Sequence, residues 1–199
     1  EKGEVSALVS YIGDMEHTLS AMLVEMQEMR KEVNMIHNSS VKAKCENLIQ
    51  TADGKIRQGV ASVSKAKNNL IVSAANAMKV FREKGKEALK NAVKAMKIPE
   101  TLDKLGKGFH SFAVSMNESA KNVQNARAEL GGAKRHILNA GRLFFGKGAK
   151  EQELAVRDKG IISRLQSLFG KLGNGFSALE SKSNNLADKL RYTRIKDSV

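Results

Sequence analysis

Ten apolar positions, Val5, Leu8, Ile12, Met15, Leu19, Met22, Met26, Met29, Val33 and Ile36, alternate three and four residues apart along the start of the chain. A helix advances about 3.6 residues per turn, so a repeat averaging 3.5 keeps one seam turned toward a partner helix. The spacing predicts a long packed helix over residues 4–37. Val9, Tyr11 and Leu23 widen its apolar stripe beyond a two-stranded seam, as suits a helix packed in a bundle.

Three further helices follow from the same pattern. Asn38, Ser39 and Ser40 interrupt the first seam and supply caps, and a second helix is expected over 41–98. Pro99 ends it and suits the first turn of a third helix over 100–145, with Glu100 and Asp103 near its positive N-terminus. The stretch 146–159 loses the seam and reads as a linker, and a fourth seam from Ile162 to Leu190 predicts a helix over 160–193. The expected fold is all-α: a single elongated antiparallel bundle, with the second helix as its spine. If Pro99 marks the hairpin, residue i of the second helix faces residue 197−i of the third. The small residues Ala52, Gly59 and Ala66 then meet Ala126, Ala133 and Ala140, which would let the two helices approach closely.

Composition supports the helical reading, because 199 residues contain one proline and no tryptophan. The single Cys45 excludes an internal disulfide and falls on an apolar stripe with Val41, Leu48 and Ala52. The longest charge-free stretch, Asn68 to Met78, is too short to span a bilayer. The chain opens at Glu1 rather than Met, so a preceding segment is expected.

Charge is unevenly placed within the net +13. Residues 1–37 carry three basic and seven acidic side chains, and the rest carries 31 and 14. An acidic first helix is thus joined to a basic body. It can dock internally, and the basic surface can attract nucleic acid, anionic lipid or an acidic protein.

Catalytic and metal chemistry finds little support. His17, His37, His110 and His136 are scattered, and none has a glutamate three residues before it. The glycine pairs at 106/108, 131/132, 146/148 and 173/175 follow no strand and match no phosphate-loop spacing, so close helix approach is the expected role. No cofactor, metal or small-molecule substrate is expected.

Three surfaces could bind a partner. The seam Leu19, Met22, Met26, Met29 and Val33 could act as an intramolecular lid or a dimer contact, its methionines adapting to what they meet. On the second helix, Lys55, Arg57, Lys65, Lys67, Arg82, Lys86 and Lys90 could contact phosphates without reading sequence. Residues 159–179 contain no acid and three basic residues. Ile161, Leu165, Leu168, Phe169, Leu172 and Phe176 could face an anionic membrane.

The stretches Val80-Phe81-Arg82-Glu83-Lys84-Gly85, His136-Ile137-Leu138-Asn139-Ala140-Gly141-Arg142 and Gly146-Lys147 resemble an uncharacterised family of helical proteins. Members of that family are carried on conjugative or other mobile elements of Gram-positive bacteria. The likeness covers residues 75–195, leaves the first helix outside, and implies a cytoplasmic bacterial accessory protein with no activity or site to carry over. The expected function is non-catalytic protein–protein interaction or scaffolding, with another protein or a second copy as partner. Nucleic-acid binding and peripheral membrane binding are the alternatives.

Overall fold

The computed structural model describes residues 2–37, 39–144 and 156–196, with side chains described at 8–37, 39–80, 82–85, 96–125, 127 and 157–191. All elements among these residues are helices: α1 (Lys2–Val33), α2 (Ser39–Ala95), α3 (Ile98–Phe144) and α4 (Val156–Lys196). The stretch expected as a linker falls largely on 145–155, outside the described residues, and Val156 to Lys159 already belong to α4.

The helices contribute to two compact units. One comprises Glu1–Leu23, Lys55–Ala113 and Asn174–Val199; the other comprises Val24–Gly54 and Val114–Gly173. In the first unit, α1 runs antiparallel to α2, with Glu16 beside Lys67 and Leu19 beside Gly59. There α3 runs antiparallel to α4: Asp103 pairs with Arg191, His110 with Glu180, and Phe112 with Phe176. Phe176 anchors this core, its ring centroid 6.2 Å from Phe109 and 5.4 Å from Phe112, which meets it edge-on. Such pairs add to the burial of the rings themselves. Gly59 permits the close approach, since a Cβ there would lie 3.3 Å from Leu19 and 3.6 Å from Phe112.

The second unit repeats the antiparallel order. Arg30 lies 4.0 Å from Asp53, Glu32 pairs with Arg164 at 3.1 Å, and Arg127 donates to Ser163 at 3.1 Å. Here α1 ends at Val33 rather than at His37. Its last turn tightens as Met35 N–H donates to Glu32 and Ile36 N–H to Val33, while Lys42 Nζ takes up the Asn34 carbonyl. These bonds satisfy carbonyls that a helix end would otherwise leave orphaned.

The pairing of α2 with α3 departs from the expected hairpin at Pro99. Lys55 lies over the Phe112 ring at 5.6 Å, and Gly59 also faces Phe112, whereas the 197−i rule would have put Gly59 opposite residue 138. A straight α2 from Gly59 to Ala95 would run about 54 Å, against about 21 Å from Ile98 back to Phe112. The two residues between those helices cannot close a difference of about 33 Å. Gly85 resolves it. It lies 26 residues beyond Gly59 and 27 before Phe112, and it alone within α2 leaves helical geometry, at φ 79° and ψ −169°. The chain therefore reverses at Gly85, and α2 is two arms, 39–84 and 86–95, not one spine. Pro99 sits inside the first turn of α3, where its missing N–H costs nothing, after a pause at Lys97 with φ 46°. Ala126, Ala133 and Ala140, the expected partners of α2, have side chains outside those described.

The Gly85 conformation is open essentially to glycine alone. Gly85→Ala should lower unfolding free energy by about 1–3 kcal/mol in urea titrations, although nothing lies within 4 Å of the added methyl. Gly13→Ala, within α1 and equally open, should raise it by about 0.5–1 kcal/mol.

Candidate functional site

Leu19, Met22, Met26, Met29 and Val33 are all covered by their own chain, with relative exposures between 0% and 7%. The remaining described seam residues of α1, from Leu8 to Ile36, are buried too. An apolar stripe of this length stays out of water because each side chain contributes roughly 1.5–3 kcal/mol on burial. Of the two roles expected for the seam, the intramolecular one matches its placement: the side chains that would form a dimer contact are already used.

Charge helps to seat α1 in both units. In the first, Glu16 accepts hydrogen bonds from Lys67 Nζ at 2.6 Å and Ser64 Oγ at 2.9 Å. The Lys67 hydrogen bond holds the Glu16 carboxyl below the usual glutamate value, against a smaller opposing effect of burial and with Ser64 assisting. In the second unit, Glu32 pairs with Arg164 of α4. His37 Nδ1 lies 3.6 Å from Asp158, a buried carboxylate in the first turn of α4 where the helix dipole favours negative charge.

The membrane-facing assignment is corrected. Ile161, Leu165, Leu168, Phe169, Leu172 and Phe176 are 0–6% exposed, packed inside the units to which they belong. A helix face that covers neighbouring helices and one that lies on lipid need the same apolar spacing, and here the neighbours occupy it. No helix among the described residues is long and apolar enough to cross a membrane.

The fold divides the phosphate-contacting set, because two of its members are engaged inside it. Lys67 is committed to Glu16 and Lys55 to the Phe112 ring. Arg57, Lys65 and Arg82 are exposed and fall within an arc of about 100° around the helix by its 100° step. Lys86 and Lys90 have side chains outside those described. Cys45 is buried, and that burial, aided by Glu46, pushes its thiol up to about 11, away from thiolate chemistry. It borders a small cleft with Val41, Leu48, Val123 and Ile162. Among the described residues, no three His, Cys, Asp or Glu side chains gather as metal ligands would.

The structure exposes one surface that pattern reading passed over. Ile71 and Val72 are 47% and 59% exposed on α2, within a face completed by Asn68, Asn69, Ala75 and Asn76. Among the described residues the other large exposed apolar side chains, Val24, Met35 and Val114, stand singly. Its signal in the sequence is the charge-free run from Asn68 to Met78, too short to span a bilayer.

A family model described as a family of unknown function (DUF6674) matches residues 1–196. The chain belongs to that family. The DUF6674 match includes α1, so the helix left outside the sequence likeness is part of the family's unit. No curated protein and no solved structure matches the chain.

Two measurements test how α1 is held in this DUF6674 protein. Changing Met22 and Met26 together to Glu should abolish cooperative unfolding or lower the melting temperature steeply, because it buries two charges without partners. The mass in solution before unfolding should stay that of the wild type; a stable variant of halved mass would mean a shared seam. Glu16→Gln should cost about 0.5–1 kcal/mol at neutral pH. A depressed carboxyl stabilises the fold above its unfolded value, so the deficit should shrink as pH falls below 4.5. A deficit constant with pH would show that the ion pair contributes nothing.

Proposed function

We propose that this protein is a non-catalytic interaction or scaffolding protein that receives a helix of another protein on the outer face of α2. The single observation supporting this is the exposed Ile71–Val72 face, beside which the long apolar stripes among the described residues are buried within the chain. Asn69, Val72 and Asn76 lie along one line of the helix, three and four residues apart, between Lys65 and Lys79. Lysines close it at both ends, and the chain already seats one acidic amphipathic helix, α1, against Lys67. Charge complementarity therefore favours an acidic, amphipathic partner helix. The proposed setting is the cytoplasm of Gram-positive bacteria, as an accessory protein of a mobile element, a reading supported by the likeness over residues 75–195.

A photo-reactive residue at position 72 should give one defined cross-linked protein in the host cell. The paired change Ile71→Arg and Val72→Arg should remove that product while shifting stability by no more than about 0.5 kcal/mol, since both sites are exposed. Cross-linking that is diffuse, or unchanged in the double variant tested with the label at position 75, would refute the reading. Cross-linking to a second copy would replace the foreign partner with self-assembly.

A further inference from the structure

We propose that the hairpin reversing at Gly85 is a contact site for the phosphate backbone of nucleic acid, bound without regard to sequence. This goes beyond the reading of the Ile71–Val72 face and rests on different residues. Residues 79–97 contain seven basic side chains (Lys79, Arg82, Lys84, Lys86, Lys90, Lys94 and Lys97) and two acidic ones, Glu83 and Glu87, a balance of +5 in 19 residues. The preceding 40 residues of α2, 39–78, carry six basic and two acidic side chains, a balance of +4. Charge density thus more than doubles at the reversal. Lower on the helix, moreover, Lys67 and Lys55 are spent inside the fold, on Glu16 and on the Phe112 ring. Lys79, Arg82, Lys84 and Lys97 are exposed, and they form no ion pair among the described residues.

The reversal converts a linear run of charge into a compact one. Helices packed side by side lie about 8–10 Å apart, so the backbone of the second arm carries positions 86, 90 and 94 back alongside the first arm. Lys86, Lys90 and Lys94 recur every four residues along 86–95, a rise of about 6 Å per step. That is close to two steps of the ~3.4 Å rise per phosphate on one strand of a duplex. The apex, Arg82-Glu83-Lys84-Gly85-Lys86-Glu87, has no apolar side chain to wedge into lipid, which sets it apart from an interfacial membrane helix. It also has no aromatic ring on which bases could stack, so backbone charge is what it can recognise.

The test uses the full chain and fluorescein-labelled random-sequence 20-base-pair DNA and RNA of equal length, followed by anisotropy. Binding at 50 mM salt should weaken about 100-fold by 200 mM, as expected for about four neutralised phosphates. The variant with Lys84, Lys86, Lys90 and Lys94 changed to Gln should bind at least about tenfold more weakly and show a salt slope lower by about three to four. A control with Lys107, Lys121, Lys171 and Lys182 changed to Gln, all exposed on other helices, loses the same charge and should stay within about threefold of wild type. Circular dichroism should show both variants folded. Equal losses in the two variants would reduce the effect to net charge and overturn the site. So would an absence of binding at 50 mM, or binding to phosphatidylserine vesicles in its place.

Discussion

Gly85 occupies a backbone region closed to residues bearing a Cβ, and the contacts between α2 and α3 take their register from it. Moving the reversal by one residue would rotate the returning arm by about 100° and carry its apolar seam off the facing helix. With the reversal where it is, Phe112 comes to lie against Gly59, under the Lys55 ammonium, and edge-on to Phe176. Three helices of the first unit meet through that one ring. The absence of a side chain at Gly59 leaves the space that Phe112 and Leu19 share. One glycine is thus required for its backbone and another for the space it leaves, twenty-six residues apart on the same helix.

Electrostatics follows from that packing. Two acidic side chains of α1 are engaged by other helices, Glu16 by Lys67 and Ser64 and Glu32 by Arg164. Exposed or half-exposed pairs of this kind contribute little individually to stability, about 0–1 kcal/mol. Their larger effect is orientational: they reward one face of α1 and one direction along α2, while burial of the methionine seam supplies most of the energy. The basic excess of the sequence is densest at residues 79–97, around the reversal.

The seams were legible because burial in a helix depends on spacing alone: nine of the ten α1 positions have described side chains, and all nine are buried. In α3 and α4 the buried line drifts from Phe112 to Ala113 and from Leu186 to Ala187, as expected when 3.6 residues per turn meets a 3.5-residue repeat. The reversal was not legible in the same way. Pro99 is a conspicuous breaker, yet a proline is accepted in a first turn, while the lone Gly85 between two lysines resembles any tolerated helical glycine. The lipid reading of Ile161 to Phe176 failed for a related reason: periodicity identifies an apolar face but not what lies on it. Lysine roles were equally hidden, since nothing in the spacing of Lys55 and Lys67 separates them from Lys65, which points to solvent.

The neutral stripe and the basic reversal meet at Lys79, which closes the one and opens the other. A partner helix whose acidic end reaches Lys79 removes one cation from the hairpin and adds a carboxylate beside the rest. Phosphates bound at the hairpin, in turn, screen the lysine that would hold the partner's end. Any such coupling is reciprocal, because the two occupants change each other's affinity by the same factor. It is also small, on the order of the interaction of single exposed charges at this ionic strength. If both proposed occupants bind, one side chain biases each against the other with no change of fold.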